Sequence, residues 1–370
     1  MNDMTSSPRT RAAPSAWRLH DEPGSSDARN IDSAAASASA LEVHLAAVHF
    51  EDETCASRAA ILDDLRANEF DQLPLPGSGK TATRWRALAA VAACDLSLAK
   101  LYESHTDALA ILAELHRANV SQQGTWAVWA AEPPNARLVA HASEGERLVL
   151  DGVKAWCSGA SHITHALVTA WHHDAPVLAA VELSQPNVSV DESGWQAVGM
   201  RATGTAHVRF DGARAIQIGD AGAYLERPGF WQGGAGIAAC WLGSTAAIAT
   251  TLLETVARRA EPHASAHLGA VDAELSCAAA LLRETAAWID ANPRADAKRR
   301  VLCARVAMDR VAARVIDHVS RALGPAPFCT DARLARALAD LPVFVRQSHA
   351  ERDEEVLANA LLQVNAMRHQ

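Results

Sequence analysis

The chain has 370 residues, 49% of them hydrophobic, with 34 Lys and Arg against 43 Asp and Glu and a formal net charge of −9. That length supports two or three domains with cores of their own, and a net acidic chain with no long Lys/Arg run offers no positive face to a nucleic-acid backbone. No uninterrupted apolar run reaches the roughly 18 residues of a membrane span, no signal-peptide pattern opens the chain, and seven cysteines stand singly with no CxxC pair. The expectation is a soluble cytoplasmic protein, with no nucleic-acid or membrane partner and free thiols as small apolar filler.

Residues 1–40, rich in Ser, Ala, Asp and Pro, are expected to form a flexible tail because they bury too little apolar surface to offset ordering. Across 41–122, apolar residues recur at helical spacing, as at Ile61, Leu62 and Leu65 and again at Leu88, Val91 and Ala92, with a break over residues 73–79. This predicts an N-terminal domain of about four helices. Residues 123–222 alternate, as in Arg147-Leu-Val-Leu and Ala206-His-Val-Arg-Phe, and predict a compact β domain. Helical spacing returns over 223–370, with boundaries at Glu261-Pro-His, Asn292-Pro-Arg and Gly324-Pro-Ala-Pro. The fold class is therefore mainly α with a central β domain.

Two motifs fail on chemistry. Gly77-Ser-Gly-Lys-Thr81 resembles the end of a phosphate-binding loop, but Pro74 stands where that motif needs a glycine, and no buried strand precedes it. His162, His165, His172 and His173 are close in sequence, yet no nearby Cys or carboxylate completes a zinc or iron ligand set, so no metal is expected. His263 and His267 read the same way.

The segment Leu148-Val-Leu-Asp-Gly-Val-Lys-Ala-Trp-Cys-Ser-Gly-Ala160 and, about forty residues on, Gly199-Met-Arg-Ala-Thr-Gly-Thr-Ala-His-Val-Arg-Phe-Asp211 lie between the two helical regions. In this order they resemble the acyl-CoA dehydrogenase superfamily of flavoproteins over about residues 41–358. The resemblance implies an N-terminal helical domain, a β-barrel-like middle domain and a C-terminal four-helix bundle. Ala131-Glu132-Pro133 resembles the family's Thr-Glu-Pro, which places Glu132 at the flavin. Trp156-Cys157-Ser158 resembles its Trp-Ile-Ser turn, which implies an aromatic wall from Trp156 and a hydrogen bond from Ser158; a planar flavin ring calls for both. Taken alone, a Trp-x-Ser turn is more often simple core. Arg259 resembles an arginine that reaches the FAD pyrophosphate of a neighbouring subunit, although a solvated helix end fits it nearly as well. Arg321 and Gly324 match a segment that touches FAD across a dimer. FAD as cofactor, an acyl thioester on CoA or a carrier protein as substrate, and a homodimer or homotetramer follow as expectations.

Three departures shape the functional reading. The family's glycine-rich loop after Glu-Pro is Pro134-Asn-Ala-Arg-Leu138 here, so that either pyrophosphate binding is lost or it is handed to side chains such as Asn135 and Arg137. The catalytic Glu that removes the α-proton is replaced by Val345 or Arg346, and the alternative family position falls near Trp231 to Gly233, where no acid stands. Finally, Arg346-Gln-Ser-His-Ala-Glu-Arg-Asp353 puts His349, Glu351 and Asp353 near the reacting position as candidate catalytic residues, although Ser348 and Glu351 also make a capping box. The leading expectation is an FAD-dependent oxidoreductase moving hydride from an acyl thioester to flavin N5. The alternative is a flavin monooxygenase-like enzyme, or a catalytically silent binding protein on the same fold.

Overall fold

The computed structural model of the protein describes residues 13–19, 33–121, 124–134 and 136–368. Four helices come first: α1 (Ser33–Leu45), α2 (Cys55–Ala67), α3 (Thr81–Cys94) and α4 (Leu96–Glu114). Local chemistry sets their starts. Thr54 caps α2 by accepting from Ser57 N, and Asp95 caps α4 by accepting from Leu98 N at 2.8 Å. Asp95 also pairs with the fully buried Arg58 at 2.9 Å, so one carboxylate both starts α4 and ties it to α2.

Seven strands follow: β1 (Trp126–Trp129), β2 (Leu138–Ala142), β3 (Arg147–Cys157), β4 (His165–His172), β5 (Ala175–Glu182), β6 (Val188–Asp191) and β7 (Ala206–Gln217). Hydrogen bonding runs β1-β4-β2-β3-β7-β5, β6 adds to β7, and β4 also pairs with β5. The last pairing closes β4-β2-β3-β7-β5 into a ring, so the middle region is barrel-like and leaves few free edges. Inward residues such as Leu148, Leu150, Val168, Ala179, Val208 and Phe210 form its core, and the alternating burial of β7 follows from the two-residue period of a strand.

The remaining helices are α5 (Ala223–Glu226), α6 (Gly229–Arg258), α7 (Pro262–Ala291), α8 (Lys298–Leu323), α9 (Ala326–Thr330), α10 (Ala332–Val345) and α11 (Glu351–Arg368). Three long helices, α6, α7 and α8, pack side by side, and α10 lies against α6. At each of the three expected Pro-containing boundaries one helix ends and another begins. α6 is long and apolar enough to span a bilayer by length and composition, but 72% of its apolar window is buried inside the protein. It is the central helix: Gly243 packs where a Cβ would lie 2.0 Å from Ala89 O, so the backbones of α6 and α3 come into direct contact. Trp241 and Leu242 beside it are buried in the shared core.

The expected tail does not hold for residues 13–19. They form a turn over Ser15–Trp17 whose Trp17 and Leu19 are buried in the helical core, and Trp17 Nε1 donates to Asp272 at 2.8 Å. Aromatic burial there supplies what the polar composition of the segment concealed.

Candidate functional site

β3 ends in the turn that carries Trp156. Its pairing with β7 slips by one residue between Lys154 and Cys157, which is a β-bulge. The bulge places Trp156 in the left-handed region at φ 57°, and its side chain stands out from the barrel with the residue 57% exposed.

Next to it, everything is buried and bonded. Ser158 Oγ lies 3.2 Å from Thr205 Oγ1, which in turn lies 2.7 Å from Thr203 Oγ1. Trp129 Nε1 donates to Ser158 O at 3.1 Å, and Gly159 N donates to Thr203 O at 2.8 Å. Gly159, at φ +73°, has no room for a side chain because a Cβ would meet Leu101 of α4 at 2.9 Å. The turn is thus fixed from three sides: the β7 entry, β1 and α4. Cys157 points inward, and burial raises its thiol well above the usual range, so it is core rather than nucleophile.

Glu132, expected at the cofactor, is also bonded within the barrel. It accepts from Thr169 Oγ1 at 2.8 Å, Trp171 Nε1 at 3.0 Å and the fully buried Lys154 Nζ at 3.3 Å. Burial pushes its carboxyl up, but the bonds from Thr169 and Trp171 and the Lys154 charge outweigh that and hold it below its ordinary range. Lys154 also donates to Thr169 O at 2.8 Å. This cluster braces β3 to β4. Asn135 lies outside the described residues. Arg137 is stacked over Trp171, 4.7 Å from the ring centroid, and donates to His173 O.

The C-terminal candidates lie elsewhere. Arg259 is exposed at the C-cap of α6, Arg321 pairs within α8 with Asp317 at 3.0 Å, and Gly324 ends α8 at φ +65°. Among the described residues none of these three bonds to the β domain. His349 sits on the α10–α11 linker with its side chain 71% exposed. Its backbone N–H is accepted by the buried Asp353, whose charge also faces Arg305 on α8. Glu351 is exposed at the start of α11. The expected capping box is replaced: Ser348 Oγ accepts from Ala350 N, and Asp353 serves the linker. Arg305 also donates to Gly234 O and Gln347 O, which anchors this linker to α6.

At the positions read as lacking a base, Val345 is buried and Arg346 pairs with Asp309. Gln232 donates to Pro293 O, and Gly233 lies against Asp107 of α4. The acid at the start of α6 is Glu114 of α4, which accepts from Gly229 N at 2.9 Å and from Arg227 at 2.8 Å, while Glu226 is exposed on α5 with its carboxylate near Gly222. The phosphate-loop look-alike is explained as well: Gly79 N, Thr81 N and Thr81 Oγ1 all donate to the Asp290 carboxylate of α7, so a protein anion fills that nest.

Sequence reasoning missed the hydroxyl pair Thr203–Thr205 and the buried charges on α4 and around it. Lys100 pairs with Glu103 at 3.1 Å, and Asp107 is raised by burial beside the charges of Arg227 and Arg84. The Thr-Gly-Thr triplet was the available signal for the hydroxyls.

Residues 133–213 match the family model for the acyl-CoA dehydrogenase middle domain. The family match is thus confined to the middle domain, and beyond it the chain shares the acyl-CoA dehydrogenase fold. Solved structures carry the likeness over the whole fold. TdsC from Paenibacillus sp. A11-2, in complex with FMN and indole, is 18% identical with a TM-score of 0.72, covering 91% of this chain and 98% of its own. Glutaryl-CoA dehydrogenase from Mycobacterium smegmatis is 17% identical with a TM-score of 0.74, covering 89% and 94%. A nitrososynthase from Micromonospora carbonacea var. africana is 18% identical with a TM-score of 0.70, covering 89% and 96%. No curated protein matches the sequence. The fold is therefore common to a glutaryl-CoA dehydrogenase, to TdsC, a dibenzothiophene monooxygenase, and to a nitrososynthase, and at these identities it does not decide the activity.

Proposed function

We propose that this protein is a member of the acyl-CoA dehydrogenase superfamily and a flavin-dependent oxidoreductase of the oxygenating kind, with the flavin ring laid against Trp156. The observation that carries the reading is that 57%-exposed indole, held on a bulge beside the buried Ser158–Thr205 hydroxyl pair. A flat π-system covers such a wall, and a hydroxyl at its edge offers a hydrogen bond. The bound flavin supplies the redox chemistry; the chain's own residues position and shield it.

The phosphate end supports a smaller cofactor. The stretch after Glu132 has no glycine, and Arg137 is engaged with Trp171, so a single phosphate, as in FMN, is easier to hold than the FAD pyrophosphate. FAD would require Arg259, Arg321 and Gly324 of a neighbouring subunit in a homodimer or homotetramer.

Oxygenation is preferred to α,β-dehydrogenation of an acyl thioester because the two base positions hold Val345, Arg346 and Trp231 to Gly233. Of the three polar candidates, His349 suits an oxygenating site best: its ring is exposed and lies 3.6 Å from the buried Asp353, which can orient it.

Titration of the purified protein with FMN and with FAD, followed by absorption, tests the cofactor. Stoichiometric uptake of FMN, reoxidation of the reduced flavin by oxygen coupled to substrate oxygenation, and no anaerobic bleaching by acyl-CoA thioesters are expected. Anaerobic bleaching of the flavin by an acyl-CoA thioester would establish the dehydrogenase reading instead. No uptake of either flavin would make the protein a silent binding member.

A further inference from the structure

We propose that a cavity of about 320 Å3 between the Ser15–Trp17 turn, α1, α3, α6 and α10 is a second ligand site, for a compact apolar molecule carrying one hydroxyl or amine donor. Its wall is apolar, with Trp17, Leu45, Leu242, Ile248 and Leu334, and its volume is in the range of small-molecule sites. The charged rim is already satisfied internally, since Arg86 donates to Glu42 at 2.8 Å and Arg18 also faces Glu42.

Two buried polar groups in the lining are not satisfied. Ser244 is 2% exposed, and its hydroxyl has no hydrogen-bond partner among the described residues. Asp340 is 3% exposed; one carboxylate oxygen accepts from Met200 N at 2.5 Å and the other has no hydrogen-bond partner among the described residues. Buried polar groups are normally bonded, and such exceptions mark places where something else supplies the partner. The free carboxylate oxygen accepts and the serine hydroxyl completes the pair, so the occupant must donate. Asp95 is paired with Arg58 and Arg336, so the free Asp340 oxygen is the acidic group that disfavours an anion.

The lining includes no residue of the barrel strands, so this cavity is separate from the Trp156 turn. It is nevertheless connected to it. Asp340 holds Met200 N; Thr203 Oγ1 donates to Met200 O at 2.6 Å; and Thr203, Thr205 and Ser158 then follow hydroxyl to hydroxyl. An occupant that draws on Asp340 acts on the first link of that chain, which makes the cavity an effector site for the turn. Binding at the cavity itself does not depend on the flavin reading.

The test is calorimetric titration of the full chain, without added flavin, with 1-aminoadamantane, 1-adamantanol and 1-adamantanecarboxylate. The amine and the alcohol are expected to saturate at one site per chain, with the carboxylate at least tenfold weaker. Asp340→Asn, which keeps an acceptor for Met200 N, is expected to weaken the amine at least tenfold. Ala247→Leu, which fills the cavity from α6, is expected to abolish binding of both, and Ser244→Ala to weaken the alcohol. Trp156→Ala is expected to leave all three affinities unchanged, so loss of the flavin reading and loss of this one are told apart. Absence of saturable binding by wild-type protein, equal binding of the carboxylate, or binding indifferent to both Asp340→Asn and Ala247→Leu would overturn the proposal.

Discussion

Asp340 of α10 accepts the backbone N–H of Met200 at 2.5 Å, and through that one bond the C-terminal helices hold the loop that feeds Thr203 and Thr205 to the Trp156 turn. Gly199 makes the approach possible, because a Cβ there would lie 2.0 Å from Ala339 O. The pairing of a charged acid with a buried amide has a consequence for stability.

Burial raises the Asp340 carboxyl from 3.8 to about 6, with Asp95 adding to the shift and Met200 N–H, Arg336 and Arg58 opposing it. A folded pKa above the unfolded one means that the native state binds more protons between those values, so stability falls as pH rises from about 4 to 6 and stays lowered above. The cost at neutral pH is on the order of 3 kcal/mol. Asp340→Asn is expected to raise the melting temperature at pH 7.5 and to flatten the decline between pH 4 and 6. Parallel melting curves of the two proteins across that window would remove the argument.

Trp156 at φ 57° carries the strain of a left-handed residue, about 1–2 kcal/mol. Since its side chain is exposed, Trp156→Gly is expected to stabilise the protein by roughly that amount in urea denaturation while abolishing flavin uptake. A variant that both melts earlier and loses flavin would mean that the indole is core, not wall.

Glu132→Gln is expected to destabilise the barrel by about 1–3 kcal/mol, because it leaves Lys154 buried without its charge partner, discounted for the part exposure of Glu132. Flavin affinity of the remaining folded protein is expected to change less than twofold. A loss of affinity at unchanged stability would return Glu132 to the cofactor.

Asp290→Ala removes the acceptor of two backbone amides and one hydroxyl at the start of α3. The expected cost is about 1–2 kcal/mol, read as a lower denaturation midpoint. Addition of phosphate or ATP is expected to restore nothing, since the nest is closed by α7 rather than shaped for a ligand.

Much of the architecture was legible because it is written in short-range pattern. Alternation gave β3 and β7, the 3.6 period gave α2 to α4, and Pro262, Pro293 and Pro325 marked helix boundaries that the backbone could not avoid. The Trp156 turn was legible as well, by its resemblance to a family motif and its company in order. Ser158 was picked out, but its partner Thr205 was not, since nothing local says which hydroxyl will face it across two strands.

What only the tertiary structure decided was the work each polar residue does. Glu132 braces Lys154, Thr169 and Trp171; Asp290 caps a helix 209 residues away; Trp17 belongs to the core instead of a tail. Local periodicity reports which face of an element is apolar, because backbone geometry repeats along the chain. It carries no information about which buried charge meets which, because those pairings follow from desolvation among residues brought together only when the chain has folded. The sequence by itself therefore determined the order of helices and strands, while packing decided the exposure of Trp156, which carboxylates are committed to the fold, and that Asp340 and Ser244 face a cavity.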